Sequence, residues 1–185
     1  MYLQDYEGVY PDATDCPPFD SRQGWVAGFL AETLNPEGGT IYPYVRNPQV
    51  YVCPSDPYGK RTKLSYGMNI QIAGCALLPL HESAIQTPSS LVLLVENPFD
   101  THLGLASSGY PGGNEWFPPD AAVPCYPVKI CKEPVLEYGC LDPVACRHNN
   151  ATNALFCDGH VKSHPQGTLL NSMFLPYSGR FFEHM

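Results

Sequence analysis

The chain has 185 residues, 44% of them apolar and 15% charged. That is enough for one domain with its own core and too apolar for a disordered segment. Ten Lys and Arg against 18 Asp and Glu leave a net charge of −8, which argues against a nucleic-acid partner, because such binding needs a cationic footprint. Twenty prolines and 16 glycines exclude a helical bundle and point to short strands, turns and long ordered loops.

The eight cysteines are Cys16, Cys53, Cys75, Cys125, Cys131, Cys140, Cys146 and Cys157. An even number in an acidic, loop-rich chain predicts an oxidised, exported protein with four bridges, in any of about 105 connectivities. The longest apolar run, Leu91–Val95, is far shorter than a membrane span or a signal-peptide core. Export without an export signal is a contradiction that the chain's first residues bear on below.

In chain order, residues 1–9 (MYLQDYEGV) read as the last turns of a helix that runs out at Gly8, with Pro11 just beyond. Trp25 to Leu34 predicts a short helix with Trp25, Phe29 and Leu34 inward, weakened by Gly28. Residues 40–52 predict a helical turn over Pro43–Arg46 and a strand over Gln49–Val52. Cys53-Pro54-Ser55-Asp56-Pro57 is a rigid turn, and Leu64–Ile72 and Leu91–Glu96 are strands. Residues 100–147 are irregular and hold four cysteines in the symmetric spacing C-x5-C-x8-C-x5-C, a loop stapled on itself. Ala154–Cys157 and Val161–Ser163 are strands joined at Asp158-Gly159, a type I′ hairpin signal. The expectation is one α+β domain over 1–185, a small antiparallel sheet of these strands with long disulfide-pinned loops and a Cys-rich insert at about 100–147.

His148 is followed after nine residues by Asp158-Gly159, within RHNNATNALFCDGHVKSH; upstream stand YVRNPQVYVCPSDP, SYGMN, LVLLVEN and MYLQDYEGVYP. In this order the motifs resemble the prepilin-type processing-associated H-X9-DG domain family, a pseudopilin-like group of exported bacterial proteins. The resemblance touches both ends of the chain and about half its length. It implies a pilin-like head domain whose prepilin signal and long apolar helix precede MYLQDYEGVYP, so that Met1 is not the true start and the N-terminal helix is truncated here. That would resolve the export contradiction and would make the helix the chain's one membrane contact. Nothing is carried over to the insert at 125–146.

The chemistry reads as structural. Asp158 and Gly159 make a tight turn and His148 orients the preceding loop, in preference to a metal site or an acid/base pair. Cys146, His148, Cys157 and His160 are zinc ligand types, but one residue between the first two is fewer than such sites use, and disulfides compete for the thiols. Calcium is the ion the composition would allow, on Asp56, Asp100, Asp158 and Glu96, although no contiguous calcium loop is present; no cofactor is expected. Cys157, Asp158 and His160 are nucleophile, acid and base in type, yet their adjacency on a strand opposes a triad, so no enzyme is expected. Asn150-Ala151-Thr152 is a glycosylation sequon, and Trp25, Trp116 and the tyrosines fill core and contacts more readily than a sugar-binding face.

Two functions follow. The first is a structural subunit of an extracellular or cell-surface pilus-like helical filament, a homopolymer joined through the N-terminal segment and the tail from Phe174 to Met185. The alternative is a minor pseudopilin or surface binding module of a secretion or uptake machine, recognising sugar or protein through the Trp116 loop and the Cys-rich insert.

Overall fold

The computed structural model describes residues 1–12, 24–28, 34–73, 79–97, 120, 122, 130–131, 140–141 and 144–175; of Ile70 and of residues 130, 131, 140 and 141 the backbone alone is described. Phe29, Asp100, Trp116 and the tail beyond Leu175 lie outside these residues, as do Cys16, Cys75 and Cys125. No helix among the described residues is long and apolar enough to cross a membrane.

The expected helix end is present as α1 (Tyr2–Asp5). Its carbonyls are closed by the Gly8 N–H, which donates to the Leu3 carbonyl, with Glu7 and Gly8 both at positive φ. No residue of α1 is buried. The Trp25 region departs from expectation: residues 24–28 form bridges instead of a helix. The Trp25 N–H donates to the Asp12 carbonyl at 2.8 Å, and Ala27 pairs antiparallel with Asn35. Gly28 at φ +90° is incompatible with a helix interior. Trp25 and Leu34 are nonetheless buried, as the apolar pattern required.

Helix α2 (Tyr42–Val45) falls where a turn was predicted, but Gln49–Val52 is not a strand. Pro48–Tyr51 is a 3-10 turn, because the Asn47 side chain accepts the Gln49 N–H and Pro48 occupies a first-turn position that needs no donor. The Asp56 N–H closes the expected Cys53 turn on the Cys53 carbonyl. Helix α3 (Gly59–Thr62) leads into β1 (Tyr66–Met68), a third as long as expected. Asn69 ends it: its side-chain oxygen accepts the Gln71 N–H and starts α4 (Ile70–Ala73).

The sheet has four antiparallel strands in the order β1, β2 (Val92–Glu96), β5 (Ala151–Phe156), β6 (Val161–Pro165). A separate ladder pairs β3 (Ile130–Cys131) with β4 (Cys140–Leu141), setting Cys131 opposite Cys140. A register shift at Leu93 divides the core. Val92 and Val95, three residues apart, would face opposite sides of a regular strand; the bulge turns both into the cluster with Ala154, Phe156, Leu169 and Phe174. Leu93 and Leu94 then pack against a second cluster, built from Trp25, Val26, Leu34, Tyr51, Leu64, Met68 and Ala73, and Leu93 also touches a third, of Tyr10, Ile72, Leu80, Ile85 and Leu91. Phe174, expected to reach a neighbouring subunit, is fully buried here. At about 25 cal/mol per Å2, removing such a ring from water is worth roughly 2–3 kcal/mol.

The hairpin between β5 and β6 exists, but its turn is not type I′. Phe156 and His160 close a three-residue loop, Cys157–Gly159, in which Gly159 at φ +91° takes the left-handed position. A two-residue turn with both central residues at positive φ occurs one strand earlier, at Asn149-Asn150 (φ 52° and 59°), where His148 and Ala151 exchange both backbone hydrogen bonds. Strand β6 ends the sheet order, and of its five residues His164 alone is buried.

The four-bridge expectation does not hold. Cys53 and Cys157 carry free thiols, whereas Cys146 is disulfide-bonded. Cys53 lies beside the turn that precedes β5 and Cys157 in the loop that follows it, so the length of a strand separates them, well beyond bridging distance.

Candidate functional site

Three side chains from distant parts of the chain meet at the end of the sheet. Cys53 comes from the turn after the 3-10 segment, Glu96 from the last position of β2, and His148 from the turn before β5. Successive side chains on a strand alternate faces, so with Val95 in the Phe174 cluster Glu96 points to the opposite side, where Cys53 stands. The Glu96 carboxylate is 1% exposed, and three groups offset its desolvation. His148 Nε2 is 2.7 Å from Oε1, the Asn153 N–H donates to Oε2 at 3.2 Å, and the Asn153 amide reaches Oε1 at 3.4 Å. Cys53 Sγ is 3.5 Å from the same His148 Nε2. One ligand atom from each of the three lies within 4.8 Å of the others, a group able to hold a metal ion.

Arg147 buttresses this end. Its guanidinium pairs with Asp56 at 3.1 Å and donates to the carbonyls of Asn97, at 2.5 Å, and Ser65, at 3.4 Å. The Asp56 partner is almost fully buried, so the pair is screened little by salt. Ser65 Oγ accepts the Cys53 N–H at 3.0 Å and so fixes the backbone that carries the thiol. Tyr66, opposite Glu96 across the ladder, is half-buried; burial raises its phenol pKa, and the nearby Cys53 and Glu96 raise it further.

The residues singled out in the sequence are distributed differently. His148 and Asp158 do not meet: a strand of six residues, about 20 Å long, lies between them, so the nine-residue spacing measures β5 and the turns at its two ends. Each still makes a charge-assisted bond. Asp158 Oδ1 is 2.6 Å from His160 Nδ1 and accepts the His160 N–H at 3.1 Å, which lowers the carboxyl pKa.

The zinc quartet is not assembled, since Cys146 is disulfide-bonded and Cys157 and His160 lie at the far end of β5 from His148. The calcium set is dispersed too: Asp56 belongs to Arg147, Glu96 to His148 and Asp158 to His160. A nucleophilic Cys157 is disfavoured, because burial pushes its thiol up to about 12 despite the hydrogen bond with Tyr10. Asn150 is exposed at the apex of its turn, while Thr152 of the sequon is buried in β5.

Nor do Cys53, Glu96 and His148 make a catalytic triad. Sulfur and carboxylate converge on one imidazole nitrogen, whereas a triad places nucleophile and orienting acid on opposite nitrogens. Sequence reasoning had named all three residues without joining them, and it missed Arg147. A charged residue closing a five-residue apolar strand, as Glu96 does, was the available signal. No protein-family model matches the chain, and neither a curated protein nor a solved structure is significantly similar to it.

Proposed function

We propose that the chain is a structural subunit of an extracellular, pilus-like helical filament, acting without catalysis, as the H-X9-DG resemblance implies. One observation carries the reading: an ordered aromatic face on α1 and α2 that the fold leaves outward. Tyr2 stacks on Tyr6 with ring centroids 4.3 Å apart and meets the edge of Tyr44 at 5.7 Å. The Tyr44 hydroxyl donates to Asp5 at 2.6 Å, which holds the two helical turns together. Tyr6 is exposed, as are Met1, Val9 and Val45 in or beside the same two helical turns. Aromatic groups held rigid in the free subunit lose little entropy on docking and make good contact anchors. The occupant of this face is a second copy of the chain, bound head to tail so that the contact does not close on itself. With Phe174 committed to the core, the N-terminal face is the better of the two contacts that the sequence suggested.

Electron microscopy of the native chain tests the reading. Regular filaments with a helical repeat are expected, and a Tyr6→Asp chain of unchanged circular dichroism should yield only discrete particles. Discrete particles from the unaltered chain over a wide concentration range would refute self-assembly and favour the minor pseudopilin or binding-module alternative.

A further inference from the structure

We infer that Cys53, Glu96 and His148 form a zinc-type metal site, independent of the filament reading. The argument begins with the imidazole. One imidazole nitrogen, Nε2, faces both the Glu96 carboxylate at 2.7 Å and the Cys53 sulfur at 3.5 Å, so three metal-ligand types converge on one point. A cation between the three atoms would engage all of them at once. With zinc–nitrogen and zinc–sulfur bonds of about 2.0 and 2.3 Å, the observed nitrogen–sulfur separation gives an angle close to tetrahedral, while the carboxylate oxygen, 2.7 Å from Nε2, has to move away by about 0.6 Å to do the same.

The donor set selects the class of ion. Thiolate and imidazole exclude calcium and magnesium, which take oxygen, and the carboxylate opposes copper(I), which prefers soft ligands. Zinc accepts all three. Ligation runs through Nε2, with the imidazole proton on Nδ1, and the Cys53 thiol proton passes to solvent as the thiolate binds. The supporting contacts are present. Asn153 holds the carboxylate from its backbone and side chain, and Ser65 holds the backbone of Cys53. The His148 side chain is 36% exposed, which leaves a fourth position open toward solvent for water.

The test is titration of the chelator-treated, unreduced chain with cobalt(II) in place of zinc. One equivalent should produce a sulfur-to-cobalt charge-transfer band in the near ultraviolet. The band should vanish in Cys53→Ser, weaken by about a hundredfold in cobalt affinity in His148→Ala, and persist in Cys157→Ser, whose thiol lies at the other end of β5. A band that survives Cys53→Ser, or none in the unaltered chain, overturns the site. Should Cys53→Ser fail to fold, the unaltered chain supplies a second measurement. Zinc at one equivalent should slow alkylation of Cys53 by about tenfold or more and leave Cys157 unaffected; equal rates with and without zinc overturn the site.

Discussion

Asn69 offers the sharpest test of how the parts of the core are joined. It is 1% exposed and sits where β1 ends. Its side-chain amide donates to the Val92 carbonyl at 2.8 Å and to the Phe174 carbonyl at 2.9 Å, and its oxygen accepts the Gln71 N–H at 3.0 Å. One residue therefore ties together β2, the C-terminal 3-10 turn and the start of α4. Asn69→Ala removes two buried bonds and one half-buried bond at about 1 kcal/mol each and strands their partners, a total near 3–4 kcal/mol. For a domain of this size that is about 8–12 °C in Tm. Asn69→Asp keeps the acceptor for Gln71 but turns a carboxylate oxygen toward two carbonyls, so it should cost at least as much as the alanine. Urea melts followed by far-ultraviolet circular dichroism measure both, with the midpoint shifting at constant slope. A loss below about 1 kcal/mol for the alanine, or an aspartate milder than the alanine, would refute the reasoning.

Other consequences can be checked with the same melts. At Gly39 an added Cβ would stand 2.0 Å from the Trp25 carbonyl oxygen, which is backbone and cannot swing aside, so Gly39→Ala should cost about 3 kcal/mol or more. Gly159→Ala meets nothing within 4 Å and pays only for its positive φ, about 1–2 kcal/mol, so the order of the two variants is the test. Burial, with Lys162 and His160 nearby, lowers the His164 pKa. The unfolded chain therefore binds the extra proton first, and stability present above about pH 6.5 should fall as pH drops below it. His164→Gln should flatten that part of the stability profile, and an unchanged profile would exclude His164 as its source. Alkylation of the unreduced, denatured chain should label Cys53 and Cys157, and failure to label either would contradict their free state.

Much of the frame was legible because local chemistry decided it. Pro and Gly set the end of α1 and the turn at Cys53, and the run from Leu91 could only be a buried strand. Failures came where a side chain captured the backbone. Asn47 converted an expected strand into a 3-10 turn, and Asn69 cut β1 short. The mirror-image turn was assigned to Asp158-Gly159 by its glycine, whereas Asn149-Asn150 adopts it, asparagine being the other residue that tolerates left-handed backbone. The site was harder still, since Cys53, Glu96 and His148 are joined only by the order of strands. Nothing in the spacing from 96 to 148 announces that β5 lies beside β2 across a long insert.

The outer margin of β6 would constrain any polymer that this chain formed. A bare sheet margin is a template on which another chain can lay a further strand. Here that margin carries the charge of Lys162 and closes with Pro165, which has no N–H to offer. Among the described residues no strand covers that margin, and its charge and proline oppose lateral continuation of the sheet, so cohesion between copies would come chiefly from side-chain surfaces. Such a fibre would lack the cross-β reflection at about 4.7 Å and would come apart in mild detergent into folded units, unlike an amyloid.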